Sequence, residues 1–280
     1  MPRGLGPVRA LLLDRVVRWT LATVQLVACV GAPLDELVPA PLEPEAASPK
    51  VELKVTLPPD QTDRAREVLE LRPEEAERRA IWFFDSPSLT LLEAGIVLRV
   101  RTVEDDEDDS TVKIRPLAAT EVDPSWRGLD GFKCEIDRLP DRAVSSCSLT
   151  APRPEGLMDA IFRGSARAGA LFTFEQQSFL APYWPEDEDE IWLLGLGPTD
   201  ARVWGLESQE LDRKIKVELW TLADGHVVLE VSTKVDASEA DAAEADLVDY
   251  LARRGLTVAD TQETKTRAAM EAQLAALAAD

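Results

Sequence analysis

Residues 51–57 read Val-Glu-Leu-Lys-Val-Thr-Leu, an unbroken alternation of apolar and polar side chains. A period of two is typical of a β-strand with one apolar and one polar face. The alternation returns along the chain, and a shorter strand is expected at 80–84. The recurring segments are 96–101, 111–115, 132–137, 214–219 and 227–234. The sequence therefore predicts an antiparallel sheet in which six strands carry a charged face.

The charge on these strands has two interpretations. In one, the polar face of an open sheet lies in water. In the other, the strands close into a barrel with the charged face inward. The second is favoured because the chain has 52 Asp and Glu against 31 Lys and Arg, yet places Arg and Lys on its strands. Its acidic runs, 104–109 and 186–190, fall between predicted elements, and 104–109 is expected to be a solvated connection.

The composition argues against several classes of function. A net charge of −21 disfavours a general nucleic-acid or membrane-surface binder, so an anionic ligand needs a local basic site. The chain has one histidine, His226, which excludes an HExxH metal site because that motif needs two. His226 follows a turn signal and is interpreted as a turn or strand-start residue. Cys29, Cys134 and Cys147 lack metal-binding spacing and predict neither a zinc site nor a disulfide framework.

Residues 1–49 are expected to be an N-terminal extension that precedes a single domain at 50–280. Arginines precede an apolar run at 19–28, and a Pro-rich linker follows. The segment Leu-Val-Ala-Cys at 26–29 resembles a bacterial lipoprotein cleavage site, which would place a lipid on Cys29. The alternatives are an extension without fixed structure or a start site assigned too far upstream. The expected location is the cytoplasm, with membrane attachment only if Cys29 carries a lipid.

Apolar residues at helical spacing predict helices between and after the strands. One is expected at 61–79 with a break near Pro73, and two more at 237–255 and 268–279. A shorter helical pattern consists of Leu157, Met158, Ile161 and Phe162, which we interpret as core packing rather than a ligand site.

A barrel interior lined by cations with a few carboxylates suits a polyanion together with a divalent metal. A triphosphate needs several Arg and Lys donors to offset its charge. Mg²⁺ or Mn²⁺ needs oxygen ligands, and Glu52, Glu135 and Glu230 lie on predicted strands beside basic residues.

Several of these segments together resemble a CYTH domain, the fold of the triphosphate tunnel metalloenzyme superfamily. The resemblance lies in 51–54, in 82–95 leading into Leu-Arg-Val-Arg at 98–101, in 111–115, in 131–137 and in 262–267. That superfamily includes class IV adenylate cyclases, thiamine triphosphatases and inorganic triphosphatases. The resemblance implies an α+β fold, in which an antiparallel eight-stranded β-barrel forms a triphosphate tunnel with helices around it.

The tunnel's functional residues follow from the resemblance and from the alternation. Glu52 and Lys54 are expected to be catalytic. Carboxylates expected to hold Mg²⁺ or Mn²⁺ are Glu52, Glu135 and Glu230. Side chains expected to bind substrate are Arg99, Arg101, Lys113, Arg115, Lys133, Lys216 and Lys265.

The sequence also departs from the family pattern. Lys50 and Ser232 stand where carboxylates are usual, and the segment 172–178 lacks an expected arginine. Fewer carboxylates should weaken metal binding. The leading hypothesis is hydrolysis of the terminal phosphate of a triphosphate-containing small molecule or polyphosphate. The alternatives are a non-catalytic module that senses polyphosphate or a nucleotide and, third, a class IV adenylate cyclase.

Overall fold

The computed structural model describes residues 50–166, 168–185, 192–262 and 264–279. The predictions for the extension at 1–49, with its Cys29, and for the acidic run at 186–190 lie outside these residues. Glu263, within the segment at 262–267, lies outside them as well.

Nine strands of the described chain form one closed barrel, so the predicted α+β barrel with surrounding helices is confirmed. The strands are β1 (Lys50–Leu57), β2 (Glu77–Asp85), β3 (Ile96–Val103), β4 (Asp108–Ile114), β5 (Phe132–Leu139), β6 (Arg142–Arg153), β7 (Leu194–Ser208), β8 (Arg213–Thr221) and β9 (Val227–Asp236). Their order around the barrel is β1-β5-β6-β4-β3-β2-β7-β8-β9. The count differs from the predicted eight, and the barrel is mixed because β1 runs parallel to β5.

The sequence pattern did not reveal β6 and β7. The positions of β6 that face the cavity are Ser146, Ser148 and Thr150, whose small polar side chains are as typical of loops as of strands. β7 contains Gly197 and Pro198, residues typical of turns, but Gly197 is needed because a Cβ there would lie 2.7 Å from the carbonyl oxygen of Ile81. The β2–β7 register shifts between Ile81 and Phe83, where the two backbones approach.

Six α-helices surround the barrel in the described part of the chain: α1 (Thr62–Val68), α2 (Thr90–Glu93), α3 (Leu157–Phe162), α4 (Phe174–Leu180), α5 (Ala240–Arg253) and α6 (Lys265–Ala279). The helix predicted at 61–79 is wrong beyond Val68, because Glu70 adopts a φ of +53° and β2 already begins at Glu77. None of the described helices combines the length and the apolar character needed to span a membrane.

Most apolar side chains of the strands point outward and pack against the helices. Leu98 and Val112 contribute to a core with α3 and α4, and Val55 and Val217 to a core with α1 and α5. Met158 and Ile161 of α3 are buried, as core packing requires. Because alternate residues of a strand point to opposite faces, the charged set must point inward.

Helix α6 packs against the barrel. Its Met270 is buried in a cluster with Ile81, Phe83 and Trp220, which also line the barrel interior. The first residue of the helix, Lys265, therefore lies in the wall of the interior space.

Cys134 and Cys147 form a disulfide, so the prediction from cysteine spacing is wrong for this pair. They lie directly opposite each other on the antiparallel strands β5 and β6. Spacing along the chain gave no sign of the bond, because strand pairing rather than a local motif brings the two residues together. Cys147 is fully buried in the core on the outer side of the barrel wall.

Candidate functional site

The inward faces of the strands enclose a cavity of about 220 Å³. Among the described residues, ten basic side chains and five carboxylates line it, so it carries an excess of positive charge inside a protein whose net charge is −21. The basic residues are Lys54, Arg79, Arg99, Arg101, Lys113, Arg115, Lys133, Lys216, Lys234 and Lys265; the carboxylates are Glu52, Glu135, Asp137, Glu218 and Glu230.

Eight of these groups form a ladder of alternating charge across the cavity. Its first half begins at Lys113, which pairs with Asp137 at 2.5 Å. Asp137 also pairs with Lys54 at 2.6 Å, and Lys54 lies 3.1 Å from Glu52. These residues come from β4, β5 and β1, so the ladder ties three strands together.

The second half of the ladder runs toward α6. Lys216 lies 3.3 Å from Glu52 and 2.8 Å from Glu218. Lys265 lies 2.5 Å from Glu218 and 2.8 Å from Glu230. Each carboxylate of this half is therefore in contact with at least one ammonium group.

Two of the four guanidinium groups in the described cavity differ from the ammonium groups of the ladder. Arg99 donates from Nη2 to Thr111 Oγ1 at 3.1 Å, while its enclosed Nε has no hydrogen-bond partner. Within the described residues, neither Arg99 nor Arg115 has a carboxylate at salt-bridge distance, whereas Arg101 pairs with Asp109 at 2.6 Å. Arg99 and Arg115 are thus cations whose charge is available to an anionic ligand.

The pKa values of the basic side chains depend on how many carboxylates lie next to each of them. Burial and the neighbouring Arg101 lower the pKa of Arg99 to about 10. Burial likewise lowers the pKa of Lys113 to about 8, because the single carboxylate of Asp137 only partly offsets it. Burial acts on Lys54 in the same direction, but Glu52 and Asp137 together outweigh it and raise the pKa of Lys54.

Two carboxylates of the ladder, Glu52 and Asp137, are ionised at neutral pH. Burial favours their neutral forms, but Lys54 and Lys216 outweigh it at Glu52 and lower its pKa to about 2. Lys54 and Lys113 do the same for Asp137, whose pKa lies well below its usual range. At neutral pH Glu52, Asp137 and Lys54 of the ladder are therefore charged.

Solved structures resemble this architecture although the sequences have diverged. A candidate adenylate cyclase from Bacillus halodurans superposes with a TM-score of 0.53 at 11% identity, covering 79% of this chain and 97% of its own. HpAC1 from Hippeastrum superposes with a TM-score of 0.54 at 14% identity, covering 78% of this chain and 93% of its own. It is a candidate adenylyl cyclase described as having a dominant triphosphatase activity. The fold is CYTH-like. No family model and no curated protein matches the sequence.

The CYTH-like barrel brings every sequence-predicted site residue to one cavity. Glu52, Lys54, Arg99, Arg101, Lys113, Arg115, Lys133, Glu135, Lys216, Glu230 and Lys265 all line it. Their individual roles remain predictions. Lys133 and Lys234 both pair with Glu135, at a distance of 2.9 Å for Lys133, and form a separate group beside the ladder.

Sequence reasoning missed several residues of the CYTH-like cavity. Asp137 and Glu218 share the inward phase of Glu135 and Lys216, a signal that could have identified both. Arg79 lies on β2, where the predicted strand began one residue too late to include it. The run at 104–109 is not wholly a solvated connection, because Asp109 lies on β4 and pairs with Arg101 inside the barrel.

The three carboxylates predicted to hold metal do not converge. No group of three or more His, Cys, Asp or Glu side chains suited to a metal ion exists among the described residues. Glu52 and Glu230 contact lysines of the ladder, and Glu135 contacts Lys133 and Lys234. Five of the six oxygens in this donor set are paired to ammonium groups, so it does not fit a divalent ion as arranged.

The two positions that lack the usual carboxylate add no ligand. Lys50 lies at the exposed start of β1, with Nζ 2.7 Å from Asp236. Ser232 is buried on β9 opposite Lys54 and Lys216. A carboxylate at Ser232 would lie beside two ladder lysines, whereas the hydroxyl there brings no charge.

Proposed function

We propose that the chain binds a triphosphate-containing small molecule or a polyphosphate in the tunnel and hydrolyses its terminal phosphate. The observation that carries the proposal is the excess of cations in the cavity of an acidic protein, with Arg99 and Arg115 unpaired among the described residues. An enclosed guanidinium without a carboxylate is costly unless a ligand supplies the negative charge.

The cavity also offers neutral hydrogen-bond donors to a phosphate chain. Thr111 accepts from Arg99 and shares a hydrogen bond of 3.0 Å with Thr150, and Ser148 lines the same wall. Arg99 and Arg115 would bind phosphate oxygens directly, with fork geometry that a lysine lacks. Lys113 would supply a point charge beside them.

Hydrolysis requires a group that orients the attacking water. Glu52 is our candidate, because it lies in the cavity and its low pKa keeps it ionised and able to accept a hydrogen bond from water. A carboxylate with that pKa is a weak base, so Glu52 would position the water rather than remove its proton in the ground state. The resemblance implies Mg²⁺ or Mn²⁺, but we assign no step to a metal because the carboxylates are paired with lysines.

Two alternatives belong to different classes. The ladder favours a non-catalytic module that senses polyphosphate or a nucleotide, because its lysines already contact the carboxylates that hydrolysis would need. A class IV adenylate cyclase is supported only by the two structural neighbours, which are candidate adenylate cyclases, and we identify no group among the described residues that selects adenine.

The first experiment measures phosphate release by the purified full chain from tripolyphosphate and a panel of nucleoside triphosphates, with Mg²⁺, Mn²⁺ or chelator. Release that Arg99→Ala abolishes and Arg78→Ala preserves would establish a tunnel triphosphatase. Arg78 is the matched control because it lies on β2 with an exposed side chain paired to Glu104. Binding without release would favour the sensor, and a cyclic product would favour the cyclase. An absence of both binding and turnover would refute the proposal.

The Cys134–Cys147 disulfide bears on where this function operates. Disulfides persist in oxidising compartments and are rare in a reducing cytoplasm. The bond therefore supports a location outside the cytoplasm, the alternative associated with Cys29, over the cytoplasmic one. Acid quenching of intact cells followed by thiol labelling under denaturing conditions tests this, because a reduced cytoplasmic protein would be labelled at Cys134 and Cys147.

A further inference from the structure

Two lysines lie between the carboxylates at the α6 end of the tunnel. We propose that Lys216 and Lys265 take the place of a divalent cation there, so that a triphosphate-containing anion binds to this tunnel without metal. The inference rests on the proposed function, since it concerns how the same cavity holds its anion.

The geometry of the two ammonium groups carries the argument. Lys216 Nζ bridges Glu52 and Glu218 at 3.3 and 2.8 Å, and Lys265 Nζ bridges Glu218 and Glu230 at 2.5 and 2.8 Å. Each lysine thus contacts oxygens from two carboxylates, as a bridging cation would. A metal that used these oxygens would have to displace an ammonium group and leave it inside the tunnel without a partner, which is strongly unfavourable.

Glu218 has little capacity left for another cation. Its Oε2 accepts from Lys265 Nζ and from Trp220 Nε1 at 3.0 Å, and its Oε1 contacts Lys216 Nζ. A carboxylate has about four acceptor positions, and three of them are used here. Trp220 is buried, so this arrangement is fixed by the core as well as by charge.

The lysines are themselves held in place. Lys265 is the first residue of α6, which packs against the barrel through Met270, and its Nζ lies 5.0 Å from the centroid of the Trp220 ring. Lys216 lies within β8 and is held between Glu52 and Glu218. An ammonium group has three N–H donors, so each lysine keeps one for a phosphate oxygen after serving two carboxylates.

The test is calorimetric titration of the metal-free full chain with tripolyphosphate, once in chelator and once in Mg²⁺ at the same concentration of uncomplexed anion. We expect the two affinities to agree within about threefold. Binding that requires Mg²⁺ would overturn the inference and leave the proposed function standing. Binding in neither condition would overturn both.

A second measurement uses Mn²⁺ alone as the probe, followed by electron paramagnetic resonance. We expect no stoichiometric site in the wild-type protein, and a new site in Lys216→Met, where Glu52 and Glu218 lose their shared cation. Lys214→Met is the matched control, since Lys214 lies on the same strand but is exposed and pairs with Glu207. A tight wild-type Mn²⁺ site that Glu218→Gln removes, or a folded Lys216→Met without one, would contradict the proposal. The chelator titration decides the matter if Lys216→Met does not fold.

Discussion

Replacing Arg99 by methionine should weaken anion binding and at the same time stabilise the ligand-free protein. Burial and Arg101 lower the pKa of Arg99 from 12.5 to about 10. At about 1.4 kcal/mol per pKa unit, the fold disfavours the charged form by about 3 kcal/mol. Because the folded-state pKa is the lower one, this cost is fully present below pH 10 and hence at neutral pH. Water in the tunnel screens part of it, so we expect a gain of about 1–2 kcal/mol in the free energy of unfolding.

The effect on binding has the opposite sign. A hydrogen bond between charged groups contributes about 1.5–3 kcal/mol, so Arg99→Met should raise the dissociation constant for tripolyphosphate by about tenfold to a hundredfold. Urea denaturation measures the stability and calorimetric titration measures the affinity. Arg78→Met, whose side chain is exposed outside the barrel, should change neither quantity by a measurable amount.

Arg101 supplies the contrast that makes the prediction specific. Its guanidinium pairs with Asp109, so Arg101→Met leaves that carboxylate without its partner and should destabilise the protein while it also weakens binding. If Arg99→Met destabilised the fold and left the affinity unchanged, Arg99 would be a structural residue and the reasoning would be refuted.

Three further outcomes are expected. Lys113 has a pKa of about 8 and loses its charge above that pH, so the affinity for tripolyphosphate should fall as the pH rises past 8. In calorimetric titrations over a range of pH, Lys113→Gln should not show this fall. Asp137→Asn removes the negative charge that pairs with Lys54 and Lys113, so it should lower the free energy of unfolding by about 3–5 kcal/mol. A bound anion should then raise the Tm of this variant more than it raises the Tm of the wild type. Reducing the Cys134–Cys147 bond, which closes a loop with a sequence separation of 13, should cost about 3 kcal/mol in urea denaturation, and no change would show that the bond does not form.

The faces of the strands could be predicted from sequence because they follow from an elementary constraint. A period of two places Leu98 and Val100 on one side of β3 and Arg99 and Arg101 on the other. The apolar side has to be buried, and the helices supply the surface that buries it. In a closed barrel the charged side is then inside, whatever the details of strand order.

The pairing of charges could not be predicted in this way. Glu52 and Lys216 are 164 residues apart, and Lys54 and Asp137 are 83 apart. Which carboxylate meets which lysine depends on strand order and register, including the parallel contact of β1 with β5. The disulfide could not be predicted for the same reason, because the register of β5 with β6 is what brings Cys134 next to Cys147.

The tunnel therefore contains two kinds of cation with different physical roles. The ladder lysines pair with carboxylates and hold the barrel wall together. An anion can therefore bind only the N–H donors of these lysines that the carboxylates do not occupy. Arg99 and Arg115 have no carboxylate at salt-bridge distance among the described residues, and more distant carboxylates offset only part of the effect of burial, so a bound anion would stabilise their charged forms. The affinity for a polyanion should thus depend far more on these two arginines than on the more numerous lysines, although a count of basic residues suggests the reverse.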